Sequence, residues 1–315
     1  MILLLEPTPE RDLPSGGYRY NRAVGDWLEL QDLGGRRRVS PPGLDEVARS
    51  HGAALLVDAL FGGEAAPALE AAQEGHVLLH WLPFDAPDLS REDRDRLRSE
   101  LDRLIRVAKS VVVTAASTAR RVREIWPGLP VSTVCPAVDD IFHQASHLST
   151  DDTPTIVCVG AITPLKGQHV VAAAAASAPF PCRLLLVGEA GDPSYLDAID
   201  QAARDAEVIV TGPLPPAGVA AALSRATIYA SASRLESFGM ANLEAVTVGT
   251  PVVLTHVGDV AAHVRASGGA VVAPGDDDAF IRAVHEALQS RLPPPPFPER
   301  TWDQVGDELR RAMTQ

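Results

Sequence analysis

Two glutamates eight positions apart, Glu236 and Glu244, are the residues whose type and spacing most directly suggest chemistry. The first precedes a predicted helix and the second lies inside it. Because a helix rises about 1.5 Å per residue, eight residues span about 12 Å and little more than two turns, so both carboxylates lie on roughly the same side. The free N–H groups of the helix start would lie between them and attract an anion. The segment suits a sugar at one end, a ribose at the other and a diphosphate between. The alternative is a solvated helix with two ordinary glutamates.

A lysine and a histidine are further candidates because each follows a predicted strand. Lys166 lies next to Gly167 in a strand-to-helix loop, where a lysine has little role in a core, so we predict that it binds phosphate. The loop lacks the glycine before the lysine and the Ser or Thr after it that a Walker A motif requires. His80 ends another strand, where a packed or turn-stabilising histidine is the more usual role by residue type alone.

Motifs for common cofactors and metals are missing from the sequence. It has no G-x-G-x-x-G, no H-E-x-x-H, no C-x-x-C and no G-x-S-x-G. The acidic pattern Asp93-Arg94-Asp95 lies on the exposed face of a predicted helix, and Asp276-Asp277-Asp278 precedes another helix as an N-cap. We therefore expect no metal and no cofactor.

Composition narrows the class of partner. The 315 residues include 28 Lys and Arg against 41 Asp and Glu, and the net charge of −13 argues against nucleic acid. Cys135, Cys158 and Cys182 lie in or beside apolar runs, as thiols do in a reducing cytosol. With no signal peptide and no apolar span, the expected location is cytoplasmic. The Arg36-Arg37-Arg38 triplet and the basic residues of 91–109 leave weak peripheral membrane association open, although their acidic neighbours favour plain solvation.

Short apolar strands alternate with helical segments along the whole chain, a pattern typical of parallel α/β sheets. The predicted strands cover residues 2–5, 53–57, 76–80, 111–114, 131–135, 155–160, 183–188, 207–212, 227–230, 251–254 and 270–273. A polar linker at 143–154 separates an N-terminal domain, 1–148, from a C-terminal domain, 152–295. The predicted fold class is α/β, with two Rossmann-like doubly wound domains facing each other across a cleft.

Four segments in the second half carry a family resemblance. They are Val159-Gly160-Ala161-Ile162-Thr163-Pro164-Leu165-Lys166-Gly167, then Leu185-Leu186-Val187-Gly188-Glu189, then Val210-Thr211-Gly212-Pro213-Leu214, and lastly Ser233 through Glu244 followed by Gly249-Thr250-Pro251. In this order they resemble the V-G-R-x-x-x-x-K-G and E-x7-E segments of the retaining GT-B glycosyltransferases of the family-four type, also called glycosyl transferases group 1. The final helix is similar to that family's C-terminal segment, which implies that residues 300–315 pack back on the first domain.

The resemblance implies metal-independent transfer of a hexose from a UDP- or GDP-linked sugar to a hydroxyl acceptor, such as a glycan or lipid-linked saccharide in polysaccharide biosynthesis. The anomeric configuration would be retained. Lys166 would hold the diphosphate, Glu236 the hydroxyls of the transferred sugar and Glu244 the ribose. His80 would lie near the anomeric carbon. Further donor contacts are implied for Gly16, Gly17, Gly160, Pro213, Leu214, Ser237, Phe238, Gly239 and Met240.

Two departures from the family pattern leave alternatives open. Ala161 stands where the family has an arginine, and the segment after Gly258 lacks the usual Pro-Glu. A second hypothesis is therefore a catalytically impaired relative that binds a nucleotide sugar or a partner enzyme. A third is a sugar-nucleotide epimerase on the same fold.

Overall fold

The structure is a computed structural model that describes residues 1–8, 16–40, 43–44, 54–148, 153–204, 206–291 and 293–314. The chain divides into two compact units. Unit 1 comprises Met1–Ala137 and Arg300–Gln315, and unit 2 comprises Val138–Glu299. Residue 53 of the predicted strand 53–57 and residues 149–152 of the predicted linker lie outside the described residues.

Helices and strands alternate through both units. The strands are β1 (Ile2–Pro7), β2 (Gly34–Val39), β3 (Ala54–Asp58), β4 (Gly75–Leu79), β5 (Ser110–Val113), β6 (Val131–Thr133), β7 (Thr155–Val159), β8 (Arg183–Val187), β9 (Glu207–Gly212), β10 (Ile228–Ser231), β11 (Val252–Thr255) and β12 (Ala270–Val272). The helices are α1 (Gly16–Leu30), α2 (Ala66–Ala71), α3 (Arg91–Val107), α4 (Ala116–Ile125), α5 (Asp140–Gln144), α6 (Gln168–Ala176), α7 (Pro193–Ala203), α8 (Pro216–Arg225), α9 (Met240–Val248), α10 (Gly258–Ala266), α11 (Asp277–Ser290) and α12 (Trp302–Thr314).

The sheet of unit 1 is parallel throughout, with strand order β2-β1-β3-β4-β5-β6. The chain leaves β1 for β2 on one side and then returns to build β3 to β6 on the other. Such a reversal leaves a crevice at the carboxyl ends of β1 and β3, where ligands bind in open parallel sheets. Strand β2 is missing from the sequence prediction because three consecutive arginines fill its centre and it lies at the edge of the sheet.

Both faces of the unit 1 sheet are buried, because alternate strand residues point to opposite faces. Helices α2, α3 and α4 cover one face, where Leu5, Val57 and Leu79 lie in the core. Helices α1 and α12 cover the other. Gly306 of α12 lies against the ring of Trp27, and a Cβ at this glycine would stand 2.1 Å from the ring. The last helix of the chain is therefore part of the core of unit 1.

The sheet of unit 2 is also parallel, with strand order β12-β11-β10-β7-β8-β9. Here the reversal lies between β7 and β10, so the loops after these two strands meet at the crevice. Each unit confirms the predicted doubly wound α/β architecture. The predicted boundary after residue 148 differs from the observed one after Ala137, because α5 packs against α8 and α9 within unit 2.

The two acidic clusters begin helices, as predicted. Ser90 Oγ accepts from the Asp93 N–H (3.0 Å) at the start of α3, and the Asp93 carboxylate pairs with Arg96 (3.1 Å). Asp276 Oδ1 accepts from the Ala279 N–H (3.0 Å) at the start of α11. In the part of the chain that the structure describes, no helix is both long and apolar enough to cross a membrane.

Candidate functional site

The loop after β7 presents Lys166 at the crevice of unit 2. A single 3-10 turn, Pro164–Lys166, forms because the Lys166 N–H donates to the Thr163 carbonyl (2.9 Å). Gly167 ends the turn in the left-handed conformation, with φ of 67°, which residues with a side chain adopt only at a cost. The lysine side chain lies beside Gly160, which begins the same loop, and 30% of the side chain is exposed.

The loop after β10 brings Glu236 to the same place. The Arg234 N–H donates to the Leu165 carbonyl (2.7 Å), which joins the two loops. The Lys166 ammonium group donates to Glu236 Oε1, and Ser233 Oγ donates to the same oxygen at 3.0 Å. Only 18% of the Glu236 side chain is exposed. The two residues thus form a partly buried ion pair, which solvent screens less than a surface pair.

Two helices near this edge use their first N–H groups within the protein. At the start of α6 the His169 N–H donates to the Tyr195 hydroxyl (3.3 Å). At the start of α10 the Asp259 N–H donates to the Ser237 carbonyl (3.1 Å), and the next N–H donates to the Phe238 carbonyl (3.0 Å). The second arrangement holds the Glu236 loop in place by its carbonyl groups.

Helix α9 is different, because its N-terminus has no side-chain cap. Gly239 precedes it with φ of 95°, and the first helical bond runs from the Leu243 N–H to the Gly239 carbonyl (2.9 Å). Among the described residues, the N–H groups of Met240, Ala241 and Asn242 have no acceptor. Free N–H groups at the start of a helix attract anions.

The other predicted residues of this segment take distinct positions. Glu244 lies inside α9 and is almost fully buried, with 1% exposed. The Phe238 ring is buried and packs edge-on against Phe297, with ring centroids 6.1 Å apart. It anchors the loop, so any ligand contact of this residue involves its backbone. Pro213 and Leu214 follow β9, two strands away from β7 in the sheet.

Ala161, at the place of the family's arginine, is exposed and contributes no charge. Its carbonyl accepts from Gln168 Nε2 (2.9 Å), and Gln168 is buried with 1% exposed. Gln168 Oε1 has no partner in the described part of the chain. Within the same residues, no group of three or more His, Cys, Asp or Glu side chains has an arrangement that could hold a metal ion.

A second polar cluster lies at the crevice of unit 1, around His80. The predicted residues Gly17 and His80 are in contact there, since a Cβ on Gly17 would stand 3.0 Å from the imidazole. His80 Nε2 lies 3.0 Å from Asn21 Oδ1. Asn21 Nδ2 in turn donates to Glu6 Oε2 (2.9 Å) and to Asp58 Oδ2 (2.6 Å).

Sequence reasoning missed Glu6 and Asn21 as members of a site. One signal was present: Glu6 is a carboxylate at the end of an otherwise apolar strand, where burial is costly without a partner. Arg36 Nη1 (2.6 Å) and Arg38 Nε (3.0 Å) both donate to Glu6 Oε1. Two of the three arginines in the basic triplet therefore serve this carboxylate.

The fold and the site together define the class. The chain aligns with sucrose-phosphate synthase from Thermosynechococcus elongatus at a TM-score of 0.74 and 17% identity, with 99% of this chain and 94% of that chain covered. It aligns with Anabaena HepE, solved in complex with UDP-glucose, at a TM-score of 0.72 and 17% identity, with the same coverage. These likenesses confirm the GT-B fold.

The family model of the Glycosyl transferases group 1 matches residues 139–301, slightly more than half of the chain and nearly the same residues as unit 2. The chain belongs to this family. It is 27% identical over 252 residues to a D-inositol 3-phosphate glycosyltransferase from Mycobacterium avium, with 73% of this chain and 59% of that protein covered. The protein of the same name from Acidothermus cellulolyticus is 30% identical over 200 residues, covering 59% and 44%. The chain spans about half the length of the curated relatives it matches.

Proposed function

We propose that the protein is a metal-independent, retaining glycosyltransferase that moves a hexose from a UDP- or GDP-linked sugar to a hydroxyl acceptor. The observation that carries the proposal is the Lys166–Glu236 pair beside the uncapped start of α9. This arrangement places a cation, a carboxylate and free N–H groups together at the crevice of unit 2. A nucleotide sugar has the complementary groups, namely a diphosphate and a hexose with hydroxyl groups.

Departure of a nucleoside diphosphate develops negative charge that must be stabilised. Lys166 and the first N–H groups of α9 supply positive charge on preorganised groups, and such groups are worth more than the same interactions in water. Glu236 accepts hydrogen bonds from hydroxyls of the transferred sugar once its lysine turns to the diphosphate. Glu244 takes the ribose, and Pro213 and Leu214 lie by the base. The leaving phosphate then takes the proton of the acceptor hydroxyl, as front-face attack with retention requires.

The acceptor side of the proposal involves the unit 1 cluster. His80, with 12% of its side chain exposed, is assigned a role in assisting the transfer, and Gly16 and Gly17 are assigned contacts to the donor. The acceptor is a hydroxyl of a glycan or lipid-linked saccharide, and the names of the curated relatives make D-inositol 3-phosphate a further compound to test. Because Arg36 and Arg38 form ion pairs with Glu6, membrane association forms no part of the proposal. No disulfide joins Cys135, Cys158 and Cys182 to one another in the described part of the chain, which supports a reducing, cytoplasmic location.

The test is turnover of a donor panel. The full chain is incubated with UDP-, GDP- and ADP-sugars in EDTA, together with glycan acceptors and D-inositol 3-phosphate. Release of nucleoside diphosphate and the mass of the product are followed, and the anomeric coupling constant of the product reports retention. Glu236→Gln should lower turnover by about 10- to 100-fold, because a hydrogen bond to a charged group is worth about 1.5–3 kcal/mol.

The matched control is Glu74→Gln. Glu74 also pairs with a lysine, Lys109, at 3.0 Å, but this pair is about half exposed and lies in unit 1, so turnover should not change. Failure to bind any nucleotide sugar would contradict the proposal. If the protein binds a donor but forms no product, or forms a product without needing Glu236, the result would favour the catalytically impaired relative. Conversion of the donor sugar without transfer would favour the epimerase.

A further inference from the structure

The polar cluster around His80 in unit 1 depends on one side-chain amide, that of Asn21. Asn21 is fully buried on α1, and its two carboxylate partners, Glu6 and Asp58, are 0% and 1% exposed. Each carboxylate also has a second donor. Glu6 Oε1 accepts from two arginines, and Asp58 Oδ1 accepts from the Leu60 N–H (2.9 Å). The oxygens that face Asn21 are therefore acceptors, and an amide oxygen placed against them would be repelled.

The hydrogen bonds of these two carboxylates determine the orientation of the Asn21 amide. A side-chain amide has two N–H donors on its nitrogen and lone pairs on its oxygen. Both N–H groups of Asn21 are used, one for Glu6 and one for Asp58. The oxygen then faces His80 Nε2 at 3.0 Å. An oxygen can only accept, so Nε2 must carry the hydrogen.

The other ring nitrogen of His80 is left for a ligand. Nδ1 has no hydrogen-bond partner among the described residues. It also does not belong to the buried side-chain N and O atoms of these residues that lack a hydrogen-bond partner. When a neutral imidazole carries its hydrogen on Nε2, Nδ1 has a lone pair and accepts.

Three residues on one face of α1 hold the ring in this orientation. Gly17, Tyr20 and Asn21 have the spacing i, i+3, i+4, which places them side by side on a helix. Gly17 leaves room for the flat side of the ring, and Tyr20 packs edge-on with ring centroids 5.5 Å apart. Only Asn21 bonds to a ring nitrogen among these three.

We propose that Asn21 is a positioning residue that fixes the Nε2–H tautomer of His80. Nδ1 then accepts a hydrogen bond from the hydroxyl group of the molecule that receives the sugar. The tautomer follows from contacts within unit 1 alone. Its use toward an acceptor rests on the proposed function. The two parts are therefore tested by different measurements.

The tautomer is tested on the whole protein without ligand. Histidine labelled with ¹⁵N in the ring is incorporated, and long-range ¹H–¹⁵N spectra are recorded at pH 8.5. The His80 signals are those that disappear in His80→Gln. A protonated Nε2 and an unprotonated Nδ1 are expected. A hydrogen on Nδ1, a mixture of tautomers or a doubly protonated ring would overturn the proposal, whether or not the protein transfers sugar.

Asn21→Leu should release the tautomer, because it removes the oxygen at a similar side-chain volume. The matched control is Tyr20→Phe, which also removes a buried hydrogen bond of α1, from the Tyr20 hydroxyl to the Val134 carbonyl (3.2 Å), but leaves the His80 nitrogens untouched. Its spectrum should match the wild type. If Asn21→Leu keeps a pure Nε2–H ring, Asn21 is only structural. If Asn21→Leu does not fold, the wild-type spectrum still decides.

The use of the tautomer is tested by kinetics with the donor and acceptor found in the panel. Asn21→Leu should lower kcat by about 2- to 10-fold, which is the value of one hydrogen bond that orients the acceptor hydroxyl while the leaving phosphate takes its proton. The Kd of the donor should not change. An unchanged kcat with an altered tautomer would remove the role toward the acceptor and leave the rest of the proposed function in place.

Discussion

Gly167 lies so close to Ala232 that a Cβ built on the glycine would stand 2.3 Å from the Ala232 carbonyl oxygen. Gly167 follows Lys166 directly, and Ala232 belongs to the loop that leads to Glu236. The two loops of the unit 2 crevice therefore meet backbone to backbone. The ion pair between the lysine and the glutamate depends on this close approach.

Gly167→Ala should destabilise the protein by about 2–5 kcal/mol. About 1–2 kcal/mol comes from the left-handed backbone conformation and about 1–3 kcal/mol from overlap with Ala232. Urea unfolding measures the loss. The matched control is Gly275→Ala, at a glycine with φ of 83° whose added Cβ would meet no atom within 4 Å, so only the backbone cost of about 1–2 kcal/mol is expected. Equal losses for the two variants would mean that the loop contact contributes nothing.

Lys166 and Glu236 should affect different parts of the donor. Lys166→Met should weaken binding of both the free nucleoside diphosphate and the nucleotide sugar, because both contain the diphosphate. Glu236→Gln should weaken only the nucleotide sugar, by about tenfold or more, because a hydrogen bond to a charged group is worth about 1.5–3 kcal/mol. Isothermal titration calorimetry with UDP, UDP-glucose, GDP and GDP-mannose gives the four affinities. If both variants weaken the two ligand types to the same extent, the division of roles is wrong.

Glu244 should set the preference for ribose. Its carboxylate is buried within α9, and Glu244→Gln should lower the affinity for the nucleoside diphosphate by about tenfold. The variant should also bind the 2′-deoxy form as well as the ribo form, whereas the wild type should prefer ribose.

The control for this prediction is Tyr229→Phe. It removes another buried hydrogen bond to α9, from the Tyr229 hydroxyl to Asn242 Oδ1 (2.9 Å), without touching a predicted ribose contact. It should lower stability and keep the discrimination between the two sugars. Retained discrimination in Glu244→Gln would assign the ribose to another residue.

His76 should make the protein less stable in mild acid. Burial lowers the pKa of this histidine, and the nearby Lys109 lowers it further. The folded state therefore binds fewer protons than the unfolded state, whose histidines have a pKa of about 6.5. The stability is fully present above this pH and is lost as the pH falls below it, with a slope of up to about 1.4 kcal/mol per pH unit. Urea unfolding between pH 8 and pH 5 should show a shallower slope in His76→Gln. The exposed His143→Gln controls for loss of a histidine, and an unchanged slope in His76→Gln would refute the prediction.

Much of unit 2 is predictable from the sequence because its site lies in short segments. The run from Glu236 to Glu244 and the Lys166 loop each follow an apolar strand, so their placement at one edge follows from the strand order. The burial of Phe238 against Phe297 is not predictable in this way, because it depends on the proline-rich segment about sixty residues later in the chain.

Unit 1 was harder to predict for a physical reason. The partners of Asn21 are 15 and 37 positions away, and its bond to His80 spans 59 positions. No local pattern relates these residues. The arginines of β2 look like solvated charge until their register against β1 brings two of them to Glu6.

The ion pair of Lys166 and Glu236 has a consequence for selectivity. A ligand that attracts the lysine leaves a partly buried carboxylate without its cation, and a ligand that occupies only the carboxylate leaves the lysine unmatched. Separating such a pair is costly unless both charges find new partners. Inorganic phosphate and free hexose each satisfy one condition. A molecule that joins an anion to a hydroxyl-rich group satisfies both conditions. The site should therefore bind such a molecule in preference to the small anions and free sugars of the cell.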